Sequence, residues 1–336
     1  MDCCSCSGPN ADKLIDPDGV FEGCLQPDEA RFVLYVSAGC PFAARPWVIV
    51  KFYGLEGSIQ IVRCFPTNGA DGWFFKPVNE WEQTVVGGNP GAKFDEDPIL
   101  NATHMKQIYD KYGGGYSGKI TVPVLFDKKL DKIVSNNSLS LAEKLCGKGM
   151  RLARTRNKEV ELLPSEDDPA FAASDALLKD LHDNISSQVY KIHGSPSQAD
   201  HIRLTNDFFA TLEKLEDMLL KSSSDPSARF LQGKISLADF FLFNTAVRFD
   251  LAYRWRFNIG GDSIQPYGNV CRFPEIWSLV QRILAIEGIT GEDGALLPED
   301  VTRTYWMSVP LAALGSKKPA VPMLPSQWTA TGWRSE

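Results

Sequence analysis

Apolar and polar positions follow two different patterns along the chain. Between residues 30 and 148, short runs alternate between strand-like and helix-like periods. "RFVLYVS" (31–37), dense in β-branched and aromatic residues, reads as a buried strand. "AARPWVIVKFYGLE" reads as a helix that stops at Gly54, although Pro46 removes one backbone donor inside it. "SIQIVRCF" (58–65) alternates as a second strand. "ATHMKQIYDKYG" (102–113) is a helix with Met105, Ile108, Tyr109 and Tyr112 on one side. Residues 120–137 read as strand, Asp-Lys turn, strand, and 138–147 as a closing helix. The predicted order is β-α-β, helix, β-β-α. The connection over 66–98 is long, rich in Gly, Asn, Asp and Pro, and carries Trp73, Phe74, Phe75 and Trp81.

From about residue 165 the helical period takes over. "DALLKDLHDNISSQVYKI" reads as one amphipathic helix. "DHIRLTNDFFATLEKLEDMLLK" reads as another, with Ile202, Thr205, Phe209, Leu212, Leu215 and Leu219 on its apolar face. Residues 235–257 are apolar almost all round, which predicts a buried central helix, and Ser236 and Asp239 have the spacing of a capping box at its start. "FPEIWSLVQRILAI" (273–286) is a further amphipathic helix. The segment from 310 holds Pro310, Pro319, Pro322 and Pro325, so it is expected to be extended. No internal repeat or coiled-coil heptad occurs.

Composition changes this picture little. The net charge of -7 over 336 residues argues against a general nucleic-acid binder. No apolar run approaches the length of a membrane span, and the first residues lack the pattern of a secretory or organelle signal, so a cytoplasmic protein is expected. The eight cysteines are then expected as thiols rather than a disulfide framework. Cys3, Cys4 and Cys6 read as incidental residues of an unstructured tail, with S-acylation the next alternative and zinc a weaker one. The four histidines show no ligand spacing, so no metal is expected.

The candidate chemistry begins at Cys40. It follows the first strand and opens a helix, where unpaired N–H groups favour a thiolate, and it has no cysteine partner two residues on. Val122-Pro123 would tolerate a cis bond, leaving the Val122 backbone open to an extended peptide. Asn137-Ser138 starts a helix, so N–H donors and a hydroxyl face whatever anion lies there.

A β-α-β, β-β-α module followed by helices is the thioredoxin-fold plan of glutathione transferases. "RFVLYVSAGCPFAAR", "NGADGWFF", "DPILNATHMKQIYDK", "GKITVPVLFDKKLDKIVSNNS", "VRFDLAYRWRF" and "FPEIWSLVQRI" together resemble the Xi class, the glutathionyl-hydroquinone reductases. The resemblance runs from about residue 28 to 325. It implies an N-terminal extension (1–27), a thioredoxin-like glutathione-binding domain (28–150), an all-helical C-terminal domain (165–309) and an extended tail (310–336). It also implies a homodimer that takes glutathione as co-substrate, with a small aromatic or quinone acceptor.

Residue by residue, the resemblance makes Cys40 the nucleophile and assigns Phe42, Trp73, Val122, Pro123, Asn137 and Ser138 to glutathione. Tyr253 and Tyr305 become candidate proton donors. Departures from the family pattern are visible. The family reads Cys-Pro-Trp-Ala-His-Arg where this chain has Cys-Pro-Phe-Ala-Ala-Arg, so Arg45 is kept while Phe42 and Ala44 differ. Asn137 stands in place of a glutamate that meets the γ-glutamyl ammonium. After Tyr253 the family's Val-Gly-His-Phe-Lys becomes Arg254 to Asn258. Near the end, Tyr305 is kept, Trp306 replaces a tyrosine, and Val309 replaces a histidine. The implied activity is reduction of glutathionyl-hydroquinones through a Cys40–glutathione mixed disulfide. Alternatives of the same fold are a dehalogenase, a deglutathionylase, a dehydroascorbate reductase or a non-catalytic binding protein.

Overall fold

The structure is a computed structural model. It describes residues 14–15, 30–65, 68–69, 71–76, 94–266 and 270–290, and the backbone of two short strands at 328–329 and 332–333. The chain divides into two compact units, one comprising Met1–Lys158 with Thr290–Glu336 and the other Glu159–Ile289.

The first unit is thioredoxin-like. Its elements follow in the order β1 (Phe32–Val36), α1 (Pro41–Tyr53), β2 (Ile59–Arg63), β3 (Asn68–Gly69), β4 (Gly72–Trp73), α2 (Met105–Tyr112), β5 (Val124–Asp127), β6 (Lys132–Ser135) and α3 (Ser138–Cys146). The main sheet has the order β2-β1-β5-β6. β1 and β2 run parallel, with Phe32 opposite Ile59 and Val36 opposite Arg63. β5 and β6 are antiparallel additions. Every residue of β1 is buried, as its unbroken apolar run requires for a strand covered on both faces. Burying each large aliphatic side chain there contributes about 1.5–3 kcal/mol. The Asp-Lys turn forms because Asp127 accepts from the N–H groups of Lys129 and Leu130 at 2.8 and 3.2 Å.

Helix α1 continues through Pro46, which has no N–H to give to the turn before it. It stops at Gly54, where φ is 64° and a Cβ would run into Thr155 Oγ1. The segment after α3 then closes its end. Thr155 Oγ1 donates to Gly54 O at 2.7 Å, Arg156 to Lys51 O at 2.9 Å, and Asn157 Nδ2 to Phe52 O at 2.8 Å. These bonds satisfy terminal carbonyls that the helix itself cannot.

The second unit is helical: α4 (Phe171–Leu181), α5 (Gln188–His193), α6 (Gln198–Ser222), α7 (Leu237–Arg248) and α8 (Pro274–Leu284). α7 is the expected buried helix, with all its residues inside. Its start carries the predicted capping box, with Asp239 accepting from Ser236 N at 2.8 Å and from Ser236 Oγ at 2.7 Å. Two expectations need correction. The stretch 175–192 is not one α-helix, because a π-turn at His182–Ser186 separates α4 from α5; another, Phe249–Tyr253, ends α7. Each inserts a residue and turns the side chains beyond it to a new direction. On α6, Ile202 is 51% exposed and Phe208 is buried in its place. Phe208 is anchored by stacking on Phe249 at 5.4 Å.

Candidate active site

Cys40 is the N-cap of α1. The turn before it closes through Cys40 N donating to Ser37 O at 3.0 Å, and Pro41 at the first helical position has no N–H to leave unpaired. The sulfur is buried and lies between two backbone groups of opposite kind. Ala43 N donates to Sγ at 3.5 Å, and Sγ donates to Val122 O at 3.5 Å. The N–H favours anionic sulfur, whereas the carbonyl is served only by the thiol. Losing its proton would cost the sulfur the Val122 bond and strengthen the Ala43 one.

Val122-Pro123 is cis, as expected, and both residues are buried. Asn137 is the N-cap of α3, its side-chain oxygen accepting from Leu139 N at 3.2 Å and Ser140 N at 3.3 Å. Ser138 accepts from Arg45 at 3.2 Å. Arg45 is buried, lies over the Phe42 ring at 4.8 Å, and ties the Cys-Pro turn to the start of α3. Cys40, Phe42, Val122, Pro123, Asn137 and Ser138 thus belong to one small set of segments joined by the Cys40–Val122 and Arg45–Ser138 bonds. Trp73 is buried in the β3-β4 hairpin. Gly72 precedes it at φ 78°, where a Cβ would meet Ile120.

Cys64, just beyond β2, is a thiol that sequence spacing did not connect with Cys40. It is buried, and its proton is held well above the ordinary range by that burial and then by the charges of Asp95, Cys40 and Asp97. A thiol kept protonated in this way is a poor nucleophile.

In the second unit, Tyr253 is fully buried at the end of its π-turn. Its hydroxyl lies 3.5 Å from that of Tyr190, and its ring stacks on Phe257 at 5.3 Å. His193 also stacks on Phe257, at 4.4 Å. The cluster pairs two phenolic donors within an apolar surround. Sequence reasoning missed Tyr190, because the π-turn at 182–186 sets its direction and no local pattern announces such a turn. Arg254 is tied locally, to Gly261 O at 2.9 Å and Asp250 at 3.6 Å. Tyr305, Trp306 and Val309 lie outside the described residues. Among the described residues, no group of three or more His, Cys, Asp or Glu could hold a metal, and no helix is long and apolar enough to cross a membrane.

Residues 195–270 match the family described as Glutathione S-transferase, C-terminal domain. The chain is 30% identical over 240 residues to Glutathione S-transferase omega-like 2 of Schizosaccharomyces pombe, covering 70% of each. It is 29% identical over 266 residues to Glutathionyl-hydroquinone reductase YqjG of Escherichia coli, covering 78% of this chain and 73% of that one. Among solved structures, the glutathione-S-transferase Xi from Phanerochaete chrysosporium superposes with a TM-score of 0.73 at 26% identity, covering 94% of this chain and 95% of that one. The glutathione-bound structure of YqjG gives a TM-score of 0.66 at 26% identity, covering 83% and 80%.

Proposed function

Because this chain belongs to the Xi-class glutathione transferase family, we propose that it is a glutathione-dependent reductase of glutathionyl-hydroquinones or similar glutathionylated aromatics. The Cys40 thiolate attacks the glutathione sulfur of the aryl thioether. A sulfur–sulfur bond forms and the carbon–sulfur bond breaks. The aromatic carbon leaves with the electron pair and takes a proton, with Tyr253 or Tyr305 as the donor. A second glutathione thiolate then attacks the mixed disulfide, releasing oxidised glutathione and restoring Cys40. The thioether is reduced to the bare arene, and two glutathione sulfurs are oxidised to one disulfide.

The observation that carries this reading is the Cys40 sulfur itself, which receives the Ala43 N–H at the mouth of a helix and touches the Val122 backbone. Glutathione lies along Val122 and the start of α3 on this reading, with Trp73 and Phe42 as apolar neighbours. Cys64, held protonated, leaves resolution to free glutathione. The enzyme is then a cytoplasmic homodimer, a state that light scattering on the full chain tests.

Mass spectrometry after incubation with glutathionyl-menadione is the deciding experiment. A glutathione adduct on Cys40 is expected, and an unmodified Cys40 would leave only a binding protein. For Tyr253, the Phe variant should slow arene release by about 10²-fold and spare reduction of a simple glutathione disulfide. Equal losses on both substrates would make it a packing residue.

A further inference from the structure

Asn136, the residue before the cap of α3, is 4% exposed and uses both ends of its side-chain amide. Its Oδ1 accepts from Ile15 N at 2.7 Å, and its own N donates to Ile15 O at 2.9 Å. Its Nδ2 donates to Tyr109 Oη at 3.1 Å. Tyr109 Oη in turn donates to Thr121 O at 3.1 Å. The direction of this chain of bonds is fixed at both ends. Ile15 N–H can only donate, so the amide oxygen must face it. Thr121 O can only accept, so the phenol must give it its proton, and its lone pair is left for the amide NH₂. Tyr109 is buried, so an unpaired hydroxyl here would have no water to turn to.

Thr121 immediately precedes Val122, and Asn136 immediately precedes Asn137 and Ser138. These are the two backbone segments that the proposed function gives to glutathione. Tyr116 adds a second tie to the first of them, its hydroxyl donating to Lys119 O at 3.1 Å and its ring 5.0 Å from that of Tyr109.

We propose that Asn136 is a positioning residue. Acting through Tyr109, it holds the Val122 segment and the start of α3 at one fixed spacing, and it fastens the N-terminal segment at Ile15 to both. The tripeptide then meets two walls already set for its length, and the Ile15 backbone helps to set them. This inference rests on the glutathione reading above.

The test measures glutathione binding by calorimetry on the full chain, comparing wild type with Tyr109→Phe, Asn136→Ala and Ile15→Pro. Proline removes the N–H at position 15, which takes that donor from Asn136 Oδ1 and leaves the Asn136–Tyr109–Thr121 bonds in place. The Kd should rise about tenfold in the first two variants, which break the link between the two segments, and about threefold in Ile15→Pro, which keeps it. The kcat at saturating glutathione should stay near wild type. A purely structural role would lower the melting temperature and leave the Kd of the folded protein unchanged. Should Asn136→Ala fail to fold, Tyr109→Phe and Ile15→Pro still decide. Unchanged Kd in those two overturns the proposal alone. A wild-type protein that binds no glutathione overturns the functional reading beneath it, an outcome distinct from the first.

Discussion

Helix α1 of the first unit and helix α7 of the second both begin on a side chain that accepts backbone hydrogens, but with different atoms. At α7 a carboxylate does the work. Asp239 is fully buried and takes Leu231 N and Ser236 N at 2.8 Å each and Ser236 Oγ at 2.7 Å. At α1 the acceptor is a sulfur at 3.5 Å, a weaker acceptor than a carboxylate oxygen. One helix start is saturated and fixed. The other is capped by a weakly accepting sulfur. A helix start built for stability is held by strong acceptors; one suited to chemistry is capped by an atom that can gain or lose charge.

The sharpest way to break this contrast is Cys40→Ser. Reductase activity should fall to background, because oxygen does not enter sulfur exchange. The melting temperature should not fall, since serine is itself a preferred N-cap. Retained activity, or a clear loss of stability, would refute the distinction between the two helix starts.

Asp239 should respond in the opposite way. Asp239→Ala strands two backbone N–H groups and should cost about 2–5 kcal/mol in denaturant unfolding. Burial is the main cause that raises its carboxyl from 3.8 to about 6. Between about pH 4 and pH 6 the folded state therefore keeps a proton that the unfolded state has released. Its contribution to stability is complete below that window and is lost as pH rises through it, by about 3 kcal/mol in total. Asp239→Asn should flatten that slope. An unchanged slope in the variant would show that another group titrates there.

A third helix start sharpens the contrast by the smallest margin. At α3 the cap is an amide, and Asn137 commits its oxygen to Leu139 N and Ser140 N. Asn137→Glu should raise glutathione affinity about tenfold by adding a charge-assisted bond. It should also lower stability by about 1 kcal/mol through the weaker cap. Calorimetry showing no gain would mean that another acid already meets the ammonium.

The sequence was most readable where one local rule sufficed. β1 has its all-apolar run, α1 ends on the only residue type at ease at its left-handed turn, and α7 carries its capping box in plain spacing. Cys40 could be placed at a helix start on the same grounds. The parts that stayed hidden depend on distant packing. A 3.6-residue period carried over the whole of α6 put Ile202 inside, but Phe249 selects Phe208 instead. Neither π-turn leaves a trace in residue type, so the meeting of Tyr190 with Tyr253 could not be foreseen. The Arg45–Ser138 bond joins residues 93 apart in sequence, and no window of local pattern spans that.

The closure of α1 by Thr155, Arg156 and Asn157 has a practical consequence for anyone recombining such proteins. A chimera cut at the end of α3 would hand the helix a foreign lid while leaving Cys40 untouched in sequence. The natural seams for grafting a new helical half lie after Lys158 and before Thr290, where the first unit breaks off and resumes, so the lid stays with the helix it covers.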